Sequence, residues 1–249
     1  MKHLNQYKND SFDLKALPLY ITEYIIKKKL EKPIDSEDHY DYFPESKEEL
    51  TENIEELVNK GIYDFNCINT SKITDMSTLF KYIDLYNVNF DISKWDVSNV
   101  TNMNYMFNGC ISFDGDLSNW NVSNVLSMAS MFDKCQNFTG KGLENWDVSK
   151  VRNMPCLFMN CRKFNVDLSN WNTSNVRNLS HTFAKCTKFE GKGLNKWNTS
   201  NFVHTNKMFL NCKNFNCDLS KWKLKNILDM SGMFDGCTSL ENKPNWYKK

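Results

Sequence analysis

The sequence predicts an α/β fold, a solenoid in which each turn contributes one short strand and one short helix, with a helical cap at its N-terminal end. Tryptophan recurs at intervals of 24 to 26 residues from residue 95 onward. Phenylalanine and cysteine recur in step with it, and a fixed period of this length is typical of stacked structural repeats. The repeated tryptophans are Trp95, Trp120, Trp146, Trp171, Trp197, Trp222 and Trp246.

Residues 1–62 precede the repeats and predict two helices. Residues 18–30 have amphipathic spacing and a basic end. A capping box of Ser46 and Glu49 marks the start of the second helix, and Gly61 supplies its stop. We expect this second helix to cover the open core of the first turn. Its apolar stripe consists of Leu50, Ile54, Leu57 and Val58.

Residues 63–249 predict a repeat solenoid of about seven turns and a terminal half-turn. Each turn contains the spacing LxxLxLxxV before the next element begins. Because side chains alternate along a strand, the tryptophan and the following valine lie on one face of a short strand. In one turn these positions are Leu117, Trp120, Val122 and Val125, and in the next they are Leu143, Trp146, Val148 and Val151.

The second half of each turn predicts a short helix. Met103, Met106, Phe107 and Cys110 stand at i, i+3, i+4 and i+7, which is the spacing of a helix with one buried stripe. One strand and one helix per turn make a leucine-rich-repeat-like unit. Such units stack to share a core of tryptophan, methionine, phenylalanine and cysteine.

Six of the nine cysteines fall at one position of successive repeats. Neighbouring turns would bring their Cα atoms close enough for a disulfide or metal ladder. The alternative, which we favour, is a reduced thiol that fills the tight end of each helix as a small apolar group. No cysteine or histidine spacing matches a zinc pattern, so we expect no metal and no cofactor. The six are Cys110, Cys135, Cys161, Cys186, Cys212 and Cys237.

The charge balance argues against nucleic acid as a partner. Lysine and arginine number 31 and aspartate and glutamate 30, so the formal net charge is +1. A nearly neutral chain has no overall field to hold a polyanion. No stretch of 18 apolar residues is present, so we expect no membrane insertion. No secretory signal is recognisable at the start of the chain, which favours the cytoplasm.

The copies WDVSNVTNMNYMFNGC (residues 95–110) and WNVSNVLSMASMFDKC (residues 120–135) carry a family resemblance. The chain resembles the BspA-like leucine-rich-repeat surface proteins, which contain DUF285-type repeats of 25 or 26 residues. The lead-in at residues 42–80 resembles the usual opening of such arrays, so the resemblance covers about residues 42–247. It implies an adhesin-like binding role at the cell surface and no known catalytic activity.

The strand positions between the buried ones predict an exposed polar face. This face changes from acidic and neutral to basic along the array, and we expect it to bind a partner. The same polarity suits solvated strand residues that suppress aggregation, and the sequence does not separate the two interpretations. The predicted binding residues are Asp96, Ser98, Asn119, Asn121, Asn145, Asp147, Asn170, Asn172, Lys196, Asn198, Lys221 and Lys223.

The sequence predicts a non-catalytic repeat protein that binds an unknown partner protein, as an adhesin or scaffold does. None of its four histidines stands beside a recognisable nucleophile motif, so we expect no catalytic residues. The alternative is a substrate adaptor, because the apolar spacing at residues 17–30 faintly resembles the start of an F-box. After Trp246 no helical cap follows, and we expect self-association through that end.

Overall fold

The computed structural model describes residues 40–247. The predicted helix at residues 18–30 and the F-box-like segment therefore lie outside the described residues. The described part contains one α-helix, α1 (Lys47–Asn59), and two 3-10 helices, Leu143–Asn145 and Leu194–Lys196. Within it, extended pairing is limited to isolated parallel bridges.

The predicted capped helix is confirmed as α1. The Ser46 side chain accepts a hydrogen bond from the backbone N–H of Glu49, and the Glu49 carboxylate accepts one from the N–H of Glu45 at 2.7 Å. At the other end, Gly61 has φ of 71°, and the N–H of Ile62 donates to the Leu57 carbonyl at 2.9 Å. This is the Schellman arrangement that ends many helices with a glycine.

Helix α1 packs its apolar side against the start of the repeats. Leu50, Ile54 and Leu57 are buried in the same apolar core as the repeat residues. On the polar side, the Lys47 ammonium donates to the Ser77 hydroxyl at 3.2 Å. These contacts place the helix beside the first copy of the repeat.

Successive copies of the repeat stack in register. Seven of them are joined in series by one parallel bridge per step, and between bridges every second backbone N–H donates to the next copy. In the second copy, Tyr105 donates to the Ala129 carbonyl at 2.8 Å. The chain of bridges runs through Asp75, Asn102, Ser127, Asn153, Asn178, His204 and Asp229.

The predicted helix in each copy is wrong. The N–H of Met106 donates to the Met103 carbonyl at 3.3 Å, and that of Cys110 to the Phe107 carbonyl at 2.9 Å, so both bonds close β-turns of four residues. Tyr105 and Gly109, at the third position of these turns, have φ of 60° and 87°, which an α-helix does not permit and type II turns require. The i, i+3, i+4, i+7 spacing therefore arises from consecutive turns.

The predicted strand is also wrong, and with it the leucine-rich-repeat-like solenoid. The N–H of Trp120 donates to the Leu117 carbonyl at 3.2 Å, and that of Val125 to the Val122 carbonyl at 2.9 Å. These are again bonds across β-turns, and no strand forms at these positions. The apolar residues are spaced by three because they stand at both ends of a turn, where each enters the core.

Aromatic side chains fill the core along the stack. Each repeated tryptophan donates its indole N–H to a backbone carbonyl of the preceding copy, as Trp171 does to Leu143 at 2.8 Å. Phe107 and Phe132 of neighbouring copies lie parallel, with ring centroids 5.2 Å apart. A second phenylalanine ladder, which sequence analysis missed, packs beside the first and consists of Phe113, Phe138, Phe164, Phe189 and Phe215.

The GKGL segments of the 26-residue copies lead into the two 3-10 helices, which begin at Leu143 and Leu194. Gly142 and Gly193 precede these helices with φ of 94° and 84°. A Cβ atom at Gly142 would lie 2.3 Å from the backbone nitrogen of Ser118 in the preceding copy. Glycine is therefore required for both its backbone conformation and the close approach of the two copies.

Candidate functional site

The predicted binding residues lie on the outside of the stack, in turns. Eleven of the twelve are exposed, and Ser98 is half-buried. Because the copies stack in register, the structure aligns these residues in three columns. The column directly before tryptophan holds Asn119, Asn145, Asn170, Lys196 and Lys221, the column directly after it holds Asp96, Asn121, Asp147, Asn172, Asn198 and Lys223, and Ser98 belongs to the third.

The aspartates and asparagines directly after tryptophan accept hydrogen bonds from the local backbone. Asp147 Oδ1 accepts a hydrogen bond from the Ser149 N–H at 3.0 Å, and Asn172 does the same for Ser174 at 3.2 Å. These are Asx turns, in which a short polar side chain bonds the backbone two residues on. The bond from the Ser149 N–H lowers the pKa of Asp147, so its carboxylate is stabilised in the charged form by local structure.

A ladder of asparagines runs beside this column and was missed by sequence analysis. Asn124 Nδ2 donates to the Ser98 carbonyl of the preceding copy at 2.8 Å, and Asn175 donates to Ser149 in the same way at 2.7 Å. The motif WxxSN, which recurs in four copies, could have indicated it, since a side chain repeated at one position needs a repeated partner. The other members are Asn99, Asn201 and Asn226.

The cysteine ladder is a set of thiol hydrogen bonds. Cys161 Sγ donates to the Phe132 carbonyl of the preceding copy at 3.0 Å, and Cys212 donates to the Phe183 carbonyl at 2.8 Å. Burial raises the pKa of Cys110 to about 12 and that of Cys161 well above its ordinary value. The thiols therefore stay protonated at neutral pH, which keeps them available as donors and makes them weak nucleophiles.

Cys156 and His181 occupy the same position in neighbouring copies, a juxtaposition that sequence analysis missed. Both have positive φ, of 56° and 60°. Desolvation raises the pKa of Cys156 and lowers that of His181. Each change favours the neutral form, so the two groups do not form the thiolate and imidazolium of an activated cysteine.

A surface depression with a volume of about 490 Å³ is lined partly by aspartates. Each carboxylate already accepts hydrogen bonds from its neighbours. Asp91 accepts from the Ser93 N–H, Asp114 from Thr139, and Asp116 from Ser118 and Lys141. Among residues 40–247, no group of three or more histidine, cysteine or acidic side chains is arranged to hold a metal ion.

An exposed aromatic cluster lies near the start of the stack. Tyr82 is 79 % exposed, Tyr86 54 % and Tyr105 41 %. The Lys81 ammonium lies 5.0 Å from the ring centroids of both Tyr82 and Tyr105, within the range of a cation–π contact. None of the twelve predicted binding residues is aromatic, so this cluster supplies exposed aromatic side chains at a different part of the surface.

Comparison with known protein families identifies the family of this chain. Residues 48–142 and residues 128–247 each match the family described as "Mycoplasma protein of unknown function, DUF285", and the two matches together span residues 48–247. The chain belongs to the DUF285 family. No curated protein and no solved structure matches it.

Membership confirms the DUF285 part of the predicted resemblance. The match says nothing of BspA-like surface proteins, so the cell-surface expectation that came with that name stays a prediction. In this DUF285 protein, no helix between residues 40 and 247 has the length and apolar character needed to cross a bilayer. The family description leaves the function open, and the exposed surface is where it has to be sought.

Proposed function

We propose that this protein is a non-catalytic binding protein that recognises a partner protein with the outside of its stacked copies. One observation carries the proposal. The columns that follow each tryptophan largely repeat short polar residues, whereas the position after the asparagine ladder changes its chemistry along the stack. In successive copies this position is Thr101, Leu126, Arg152, Arg177, Val203 and Leu228.

The uniform columns have a structural role that explains their uniformity. Their side chains close Asx turns or bond the preceding copy, as Asp147 and Asn124 do. The variable column has no such repeated bond, and Leu228, with 78 % of its surface exposed, contributes little to the core. Repeat proteins keep the residues that stack the copies and vary the residues of the binding surface. The variable column fits the description of a binding surface.

The chemistry of the polar groups also supports binding over catalysis. The ladder thiols are held neutral by burial, and the aspartates around the 490 Å³ depression accept hydrogen bonds from neighbouring donors. The exposed tyrosines near Lys81 add a type of side chain that is enriched in protein interfaces. A protein partner therefore fits the surface better than a small substrate does.

Photo-crosslinking tests the proposal. A photoreactive amino acid replaces Leu228 in the full chain, and the matched control carries it at Lys163, which is exposed on a different column. We expect discrete protein adducts from position 228 in a native lysate and none from position 163. Absence of protein adducts from position 228, or equal adducts from both positions, would contradict the proposal.

A further inference from the structure

Five residues of the variable column, Leu126, Arg152, Arg177, Val203 and Leu228, stand directly above one another; we call them the arginine column. Each backbone N–H in it donates to the carbonyl of the residue below. The donor–acceptor distances are 3.0 Å from Arg152 to Leu126, 2.9 Å from Arg177 to Arg152, and 2.8 Å for both later steps. Neighbouring residues in such a ladder are separated by about 4.8 Å.

Arg152 and Arg177 form an uncompensated pair in this column. Arginine occurs three times in the chain, at residues 152, 162 and 177, so two of the three stand on adjacent copies. Both are exposed, and no ion pair joins either guanidinium to another residue in the described part of the chain. Two positive charges at this separation repel each other, and an anion between them would relieve the repulsion.

The surroundings of the pair offer no carboxylate to take that place. The flanking columns present Lys150 and Asn175 on one side, and Asn153 and Asn178 on the other. The Lys150 ammonium donates to Asn124 Oδ1 of the preceding copy at 2.6 Å, so the neighbouring column adds a third positive charge. The site is therefore electropositive locally, although the whole chain has a net charge of only +1.

The two ends of the arginine column are apolar. Leu126 is 43 % exposed at one end and Leu228 is 78 % exposed at the other. Four steps between them give a length of roughly 19 Å, which an extended peptide covers with about six residues at 3.3 Å per residue. An apolar, cationic, apolar order over this length matches a peptide better than it matches a phosphate backbone, which offers charge at every step.

We propose that the arginine column binds an extended acidic segment of a partner protein, with a carboxylate between Arg152 and Arg177 and apolar side chains on Leu126 and Leu228. Guanidinium groups bind carboxylates through two parallel hydrogen bonds, and two guanidiniums on adjacent copies can hold one or two such groups. The inference rests on the proposed function and names the part of the surface and the type of segment that would carry it.

The test uses the full chain and a fluorescein-labelled peptide of six residues, with leucine at both ends and glutamate between. Binding is measured by fluorescence anisotropy at low salt. We expect Arg177→Ala and Arg152→Ala each to weaken binding at least tenfold, and Arg162→Ala, the matched control, to leave it unchanged. Arg177→Lys keeps the charge but loses the paired hydrogen bonds, so its affinity should fall between wild type and Arg177→Ala.

Several results would overturn the inference. If wild type and Arg177→Ala bind the peptide with equal affinity, the arginine column is not the binding site. The same holds if Arg162→Ala loses as much affinity as Arg177→Ala. Tighter competition by inorganic phosphate or duplex DNA than by unlabelled peptide would make the ligand a phosphate and not an acidic segment. The melting temperature of the variants should stay at or above that of wild type, because the repulsion is relieved; a lower value would indicate a structural role.

The photo-crosslinking experiment separates failure of this inference from failure of the proposed function. All chains compared carry the photoreactive amino acid at position 228. If the Arg152→Ala, Arg177→Ala double variant crosslinks the same protein to the same extent as the chain with both arginines, the arginine column is excluded while protein binding stands. If the chain with both arginines crosslinks no protein, the proposed function itself fails. Loss of the adduct in the double variant but not in Arg162→Ala is the result we expect.

Discussion

Asp133 is the only buried charged residue in the described part of the chain, with 6 % of its surface exposed. Its two carboxylate oxygens accept hydrogen bonds from the side-chain amides of Asn108 and Asn160, at 3.1 and 3.3 Å. Desolvation nevertheless raises its pKa. The folded state therefore holds the proton more tightly than the unfolded state does, and the charged form opposes folding.

Replacing Asp133 with asparagine removes the cost of burying the charge, and the amide of Asn108 or Asn160 has to turn its oxygen towards the new Nδ2 donor to keep its hydrogen bond. The net gain in stability at neutral pH should therefore not exceed about 1 kcal/mol. With a raised folded-state pKa, the contribution of Asp133 to stability is complete below its unfolded pKa and is lost as the pH rises through the folded value. The gain should therefore shrink as the pH falls towards 4. Urea unfolding of both proteins across this range measures it.

The matched control for that experiment is Asp147→Asn, because the pKa of Asp147 is lowered by the Ser149 N–H. Its contribution is present above the unfolded pKa and lost as the pH falls, so asparagine should give no gain at neutral pH. A similar gain from both substitutions would show that general charge reduction, and not the buried site, is responsible. Sequence could not have separated the two aspartates, since burial of Asp133 depends on the stacking of three copies.

At the scale of the elements, the turn before each 3-10 helix of the 26-residue copies requires glycine. A Cβ atom at Gly193 would lie 2.2 Å from the Ser169 nitrogen and 2.5 Å from Asp167 Oδ1, and that oxygen accepts the Ser169 N–H. Gly193→Ala would therefore strain the backbone at φ of 84° and also displace the preceding copy. We expect it to lower the free energy of unfolding by about 2 to 4 kcal/mol, measured by urea unfolding.

Gly61→Ala is the control for this substitution. Gly61 also has positive φ, of 71°, but nothing lies within 4 Å of a Cβ atom built there. It should lose about 1 kcal/mol, from the strain of the left-handed conformation alone. Equal losses at residues 61 and 193 would contradict the close approach of copies at the GKGL segment.

Positive φ angles also explain which elements could be predicted from sequence. Helix α1 was predicted because Ser46, Glu49 and Gly61 are local signals that act within the element. The repeated unit was assigned wrongly because the positive φ of Tyr105 and of Gly109 is imposed by bonds to the next copy. Nothing in a tyrosine indicates a left-handed conformation, so the apolar spacing was read as a helix.

The candidate site also has some features that could be predicted from sequence and others that could not. The outward direction of Asp147 and Lys221 followed from the alternation of buried and exposed positions, and both are exposed. The bond that Asp147 makes to Ser149 and the alignment of Arg152 with Arg177 depend on turn geometry and on register between copies. A period fixes which residues are equivalent, but the hydrogen bonds between copies decide which groups remain free to bind.

At the scale of the whole molecule, backbone hydrogen bonds run in both directions between copies, and in one series each copy donates forward to the next. Gly109 donates to the Asp133 carbonyl at 2.9 Å, and the equivalent Asn211 donates to Asp235 at 2.7 Å. Gly236 is the next member of this series and has no backbone acceptor among residues 40–247. Tyr247 packs against the copy that contains Gly236, with its ring perpendicular to that of Phe234 and the ring centroids 5.0 Å apart.

Amide hydrogen exchange should therefore distinguish two glycines at the same position of different copies. The Gly109 amide is expected to exchange orders of magnitude more slowly than its unfolded rate, because exchange requires the copies to separate. The Gly236 amide should exchange close to its unfolded rate. Mass spectrometry or NMR of the intact chain measures both in one sample. If Gly236 proves as protected as Gly109 and its protection falls on dilution, a second copy of the chain covers this end, as the expected self-association requires; protection that does not change on dilution would contradict an open end.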